Sequence, residues 1–143
     1  MSNVHFEALL AKVRREQAEA VTLIGDVTDL AIVKHHQQDQ WFMILPDVSG
    51  HGRWRLQSFD LSGFSGHMVF SCKVQAIHEA ASLRFTVRDD GALERLQDTP
   101  DFQIGLFAVE QLALHNRGAI SFEDYLENVR AFKDETYGLR LAA

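Results

Sequence analysis

Arg53–Cys72 reads RWRLQSFDLSGFSGHMVFSC, and the fold of the chain turns on how it is read. From Arg53 to Leu61 the residues alternate: Trp54, Leu56 and Ser58 on one side, Arg53, Arg55, Gln57 and Phe59 on the other. Alternation of this kind predicts a half-buried strand. Ser62-Gly63-Phe64-Ser65-Gly66 has turn composition. His67 to Cys72 alternates again, with Met68, Phe70 and Cys72 in phase. The stretch therefore predicts two strands joined by a glycine-punctuated turn, and it carries three of the ten Phe and the only Cys.

Working outward toward the N-terminus, Gln40–Leu45 is almost continuously apolar and is ended by Pro46, as expected of a strand near the middle of a sheet. Asp29–His36 supplies a partner strand, with the polar run Gln37-Gln38-Asp39 as the hairpin connection. Asp47–Gly52 is a loop. Before the strands, Phe6, Leu9, Leu10 and Val13 recur at helical spacing. That helix is capped at Ser2 or Asn3 and is expected to end near Ala20, because Val21, Thr22 and Ile24 are β-branched. Gly25 offers a later stop.

After Cys72 the period changes. Val74, Ile77, Ala81 and Leu83 or Phe85 predict a short helix, with Ala76 and Ala80 permitting close approach. Thr86–Gly91 breaks it, and Ala92–Gln97 has room for one or two helical turns. Thr99-Pro100-Asp101 is a helix opening: capping hydroxyl, proline at the first helical position, acid at the positive end of the dipole. Phe102, Leu106, Val109, Leu112 and Ala113 share a face. Asn116-Arg117-Gly118 stops this helix, and Ser121–Asp124 opens another as a capping-box variant. In that last helix Phe122, Tyr125, Leu126, Val129 and Phe132 form one stripe, expected to be core, while Thr136–Ala143 is expected to be a tail docked by Tyr137 or Leu139. The fold class that follows is α+β: an N-terminal helix, a four-stranded antiparallel meander, and C-terminal helices packed on one sheet face. A chain of 143 residues fits one globular domain, 1–143.

Composition narrows the function classes. A net charge of −6 opposes non-specific attraction to phosphate backbones. No long uncharged apolar run is present, so no membrane span is expected. One cysteine allows no internal disulfide, in keeping with a cytoplasmic protein.

Candidate chemistry is sparse. His5, His35, His36, His51, His67, His78 and His115 show no metal-ligand spacing, and neighbours such as His35 and His36 face opposite ways on a strand. No metal site and no cofactor are expected. Cys72 stands at a strand-to-helix junction beside Lys73, where a thiolate is favoured. Its phase with Met68 and Phe70 predicts a buried, inert thiol instead. Gly63–His67 lacks the second glycine and the following helix of a nucleophile elbow. Asp89-Asp90-Gly91 lacks the other ligands of a calcium loop. No catalytic residue is assigned.

The remaining candidates are Arg53, Trp54, Arg55, Gln57, Phe59, Phe64 and His67, basic and aromatic groups interleaved on a sheet. Such groups anchor protein interfaces, and they also bind single-stranded nucleic acid by stacking and charge. Trp54 faces away from Arg53 and Arg55, and the chain is acidic, so nucleic acid is the lesser reading. A small enzyme using Cys72 or paired histidines is a further alternative. The sequence reading is thus a non-enzymatic interaction or regulatory domain whose partner is another protein or a second copy of itself.

Overall fold

The computed structural model describes residues 3–142, with side-chain surroundings given for 3–138. The elements run α1 (Asn3–Ile24), β1 (Ala31–His35), β2 (Gln40–Pro46), β3 (Trp54–Asp60), β4 (Gly63–Phe70), α2 (Lys73–Ser82), β5 (Phe85–Arg88), α3 (Ala92–Leu96), α4 (Pro100–Asn116) and α5 (Phe122–Ala142). The class is α+β, with the expected meander β1–β4 and a fifth strand that sequence periodicity missed. The antiparallel sheet has the order β4-β3-β2-β1-β5. Two compact units divide the chain: Met1–Ser58 with Gly66–Gly91, and Phe59–Ser65 with Ala92–Ala143.

In the first unit, β1 and β2 pair with Ala31 opposite Ile44 and Val33 opposite Phe42. Ala31, Ile32 and Val33 are all buried, as are the neighbours Trp41 and Phe42, so this part of the sheet is covered on both faces. One face is covered by α1 and α2. Ala76, Ala80 and Ala81 of α2 are at most 3% exposed and pack with Val33, Ile44 and Leu56. The small side chains bring the helix close to the strands, as their spacing predicts.

α1 continues past Ala20 to Ile24, contrary to the expected stop. Ala20, Val21 and Ile24 join the buried cluster, and that burial outweighs the weak preference of β-branched residues for extended backbone. Gly25 ends the helix at φ 80°, a conformation open to glycine without strain. The expected cap at Ser2 lies outside the described residues.

α2 ends at Ser82 and does not reach Phe85. Arg84 takes φ 72° and turns the chain back, and its carbonyl accepts from the His36 N–H at 3.0 Å. Phe85–Arg88 then lies against β1, with Val33 opposite Arg88 and an irregularity between Lys34 and His35. The signal was present in Phe85-Thr86-Val87-Arg88, an alternating, β-rich run hidden behind a helix-period reading of Phe85.

In the second unit, Leu61 and Ser62 form the turn of the β3–β4 hairpin, and Gly63 follows it at φ 111°. The Ser62 N–H donates to Asp60 Oδ1 at 2.8 Å. The strand that was expected from His67 begins at Gly63 instead. Phe59, Phe64 and Phe102 form a cluster of edge-to-face rings, with centroids 5.6–6.3 Å apart. Burying Phe64 there favours strand over loop, whatever the Ser/Gly composition around it. Gly105 of α4 touches the turn: a Cβ added to it would stand 1.6 Å from the Ser62 carbonyl oxygen.

α4 and α5 form a helical hairpin stopped by Gly118 at φ 77°. The capping box at α5 is reciprocal, with the Asp124 N–H on Ser121 Oγ at 3.0 Å and the Ser121 N–H on Asp124 Oδ2 at 3.4 Å. Thr99 differs from expectation. Its hydroxyl donates backward to the Leu96 carbonyl at 2.7 Å, and no side chain caps α4. Thr136–Ala142 is helix and not a tail; Tyr137 hydrogen-bonds Asp101 of α4. Leu139 lies outside the described side chains.

Candidate interaction surfaces

The residues singled out on β3 and β4 fall into both units. Arg53, Trp54, Arg55, Gln57 and His67 belong to the first, Phe59 and Phe64 to the second. Phe59 is 1% exposed and is core, and Phe64 is half-buried beside it. Trp54 is half-buried against the α2 side of the sheet, with Lys73 Nζ 5.6 Å from its ring. Gln57 is occupied along the hairpin, donating to the Gly66 carbonyl at 3.1 Å. Only Arg53 and His67 of the seven are largely exposed.

Arg55 is held by Asp47, whose carboxylate is 6% exposed. Arg55 Nε reaches Asp47 Oδ1 at 3.0 Å. Asp47 also accepts from Ser49, through both its hydroxyl and its N–H. The Ser49 hydroxyl is the main cause of a lowered Asp47 pKa; partial burial opposes it, and the Ser49 N–H and Arg55 reinforce it. This arrangement fixes the β2–β3 loop, where Gly50, His51 and Gly52 all have positive φ. Arg55 thus has a structural partner, and its charge is already compensated.

Cys72 corrects the expectation of burial. It is exposed, at the N-cap of α2 with extended backbone (φ −155°). The alternation that predicted burial ends at Phe70, the last residue of β4. Lys73, its candidate activator, turns away and donates to the Val27 carbonyl at 2.8 Å. Among the described residues no three His, Cys, Asp or Glu side chains group to hold a metal ion. His35 serves its own hairpin: Nδ1 accepts from the N–H groups of Gln37 and Gln38 at 3.1 and 3.2 Å. Loss of water around the ring, and then the neighbouring His36, hold its pKa below the usual histidine value.

Asp89 and Asp90 form a staple. Trp41 Nε1 donates to Asp89 Oδ2 at 2.9 Å, and the Ile32 N–H to Asp90 Oδ1 at 2.9 Å. Arg88 binds Asp90 and donates to the Ile24 and Asp26 carbonyls at 3.0 and 2.8 Å. A cation at the last carbonyls of α1 is favourable to the helix dipole. Burial raises the Asp90 pKa, but Arg88 and the Ile32 N–H outweigh it and the net shift is downward.

What sequence reasoning placed inside and the structure places outside is the apolar surface of the helices. Phe6, Leu9 and Val13 of α1 are 68%, 60% and 49% exposed. They lie on the stripe that continues into Ala20, Val21 and Ile24, the part packed on the core. α1 has 22 residues and α2 has 10. At about 1.5 Å per residue α1 runs well beyond its neighbour. In the second unit, Phe122 and Leu126 of α5 are 54% and 50% exposed, and α5 has no buried side chain among its described residues. Its stripe is core only in part: Phe132 stacks on Phe107 with centroids 4.2 Å apart, while Phe122, edge-on to His115, and Leu126 stay about half exposed.

No described helix is long and apolar enough to cross a membrane. Compared with known proteins, the chain matches no family model, and no curated protein or solved structure resembles it significantly.

Proposed function

We propose that the chain is a non-enzymatic protein-interaction domain, binding through apolar helix surface. The observation that carries this reading is the free half of the α1 stripe, where Phe6, Leu9 and Val13 are each about half exposed or more. Large apolar side chains clustered at the surface mark interaction sites more often than chance exposure does. Here they continue a face that is already used for packing a few turns later. Aromatic and aliphatic anchors of this kind carry binding energy when a partner removes them from water.

The test uses two properties of the same variant. Leu9→Glu leaves the melting temperature of the chain within about 2 °C of wild type, because the residue is not part of its core. The same substitution abolishes binding to a partner recovered with wild-type bait and reconstituted from purified components. Loss of the folded state in Leu9→Glu would show that the stripe is needed within the chain, and the interaction reading would fail.

A further inference from the structure

β4 is a sheet edge that nothing in its own sequence protects. It is the terminal strand, eight residues long. From Leu61 through Cys72 there is no Asp, Glu, Lys, Arg or Pro. His67, Met68 and Val69 are exposed, Met68 by 37% and Val69 by 45%. Free edges are normally blunted by charge, proline, shortness or a covering segment, because their backbone groups otherwise recruit another strand.

The direction of those groups can be read from Gly66. Its N–H donates to Ser58 Oγ at 3.0 Å, and its carbonyl accepts from Ser58 Oγ at 2.8 Å and Gln57 Nε2 at 3.1 Å. Both backbone groups of Gly66 thus face β3. Successive residues of an antiparallel strand alternate sides. The N–H and C=O groups of His67 and Val69 therefore point away from β3, with Met68 between them.

We infer that β4 pairs with β4 of a second copy of this chain, antiparallel about a two-fold axis at Met68, joining two five-stranded sheets into one of ten strands. A two-fold pairing sets a segment against itself, so any charge in it meets its own kind nearby. β4 has no Asp, Glu, Lys or Arg. Centred on Met68, His67 of each copy faces Val69 of the other and the two pairs exchange about four N–H···O=C bonds. The two Met68 side chains meet at the axis. Centring on His67 instead sets two polar imidazoles against each other in place of the two apolar Met68 side chains. The pairing also closes the assembly. It consumes β4 in both copies and leaves β5 at the outer edges, and β5 is short and clamped by Arg88.

This names the partner for an interaction domain and so rests on that reading, but it uses a different surface from α1. The test is sedimentation velocity of the full chain over about 1–500 µM, with near-UV circular dichroism to check folding. The wild type is expected to show a concentration-dependent dimer. Val69→Pro is expected to be monomeric with an unchanged spectrum, since proline removes an outward donor and no bond within the chain. In a Cys72→Ser background, Met68→Cys is expected to cross-link to itself on oxidation. Residues apposed at such an axis have Cα atoms about 4.5 Å apart, within disulfide reach. His67→Cys, displaced from its own copy, is expected not to cross-link. If Val69→Pro fails to fold, the cross-link decides. A wild type that stays monomeric throughout overturns the inference. So does a dimer that survives Val69→Pro, or a Met68→Cys chain that does not cross-link. A dimer lost with Leu9→Glu but kept with Val69→Pro overturns it while leaving the α1 reading intact. A monomer that binds an extended peptide along β4 overturns the choice of a second copy.

Discussion

The two edges of the sheet are built in opposite ways. β5 has four residues and β4 has eight. β5 is bracketed by Arg84, Arg88, Asp89 and Asp90, and Arg88 ties it to the end of α1 through the Ile24 and Asp26 carbonyls. Its pairing with β1 is interrupted between Lys34 and His35. Shortness, charge and irregularity each discourage a further strand. β4 is long and uncharged, and its middle is exposed. From the β3 side, Ser58 and Gln57 engage Gly66 through side-chain hydrogen bonds. One sheet thus carries a closed edge and an open one. The contrast teaches that edge exposure in this protein is not a general looseness of the sheet, since the opposite edge is short, charged and tied to the end of α1.

The largest expected effect lies where β4 begins. Gly105→Ala drives a Cβ into the Ser62 carbonyl at the hairpin turn. Overpacking against backbone costs about 3 kcal/mol or more when neither side can yield. Chemical denaturation should show that loss, together with altered near-UV signals from the adjoining Phe cluster. An unchanged midpoint would mean the turn is free to move, and β4 would lose its fixed starting point.

Next comes the clamp at β5. Asp90→Ala leaves the Ile32 N–H, in a strand residue that is 3% exposed, without its acceptor. The expected cost is about 1–3 kcal/mol. Hydrogen exchange should localise the change to β1 and β5 and leave β4 unaffected. Equal loosening at both edges would erase the distinction drawn between them.

A smaller effect is expected from pH. The folded-state pKa of His35 is lowered by loss of water around the ring and by His36. The unfolded chain therefore binds the proton more readily, and stability rises with pH across the interval below the ordinary histidine value of about 6.5. His35 favours the folded state above that value, and its contribution is lost as the pH falls through the interval. Asp47 and Asp90, with lowered pKa values, act in the same direction at more acidic pH. The melting temperature should fall between about pH 7 and pH 5. His35→Gln should fall less, and an equal fall would remove His35 from the account.

The smallest effect is expected on the open edge itself. Val69→Thr changes one exposed side chain and no ladder bond, so the monomer should keep its stability within about 0.5 kcal/mol. A larger loss in dilute protein would show that Val69 already packs within the chain, and β4 would no longer count as open.

Much of this was legible in the residues. The alternation of Arg53–Leu61 and the apolar run Gln40–Leu45 gave the meander because the period of a strand is fixed by its pleat. Ser121–Asp124 gave the start of α5 because a cap is a local hydrogen-bond pattern. The close approach of α2 was written in Ala76 and Ala80. These features depend on neighbours in the chain, and the sequence determines them by itself. Other features depended on what lies across the fold. Val21 and Ile24 are helical because a core is there to bury them. Phe85 is a strand residue because β1 has a free side. Gly105 carries no local signal in mid-helix, and its reason is a contact with a turn some forty residues earlier. Cys72 had the phase of a buried residue, but its strand ends two residues before it. The apolar stripes of α1 and α5 announced burial, and only the tertiary structure decided how much of each finds a partner. Periodicity reports which side chains share a face, whereas exposure depends on what packs against that face, and that is set by contacts between segments far apart in the chain.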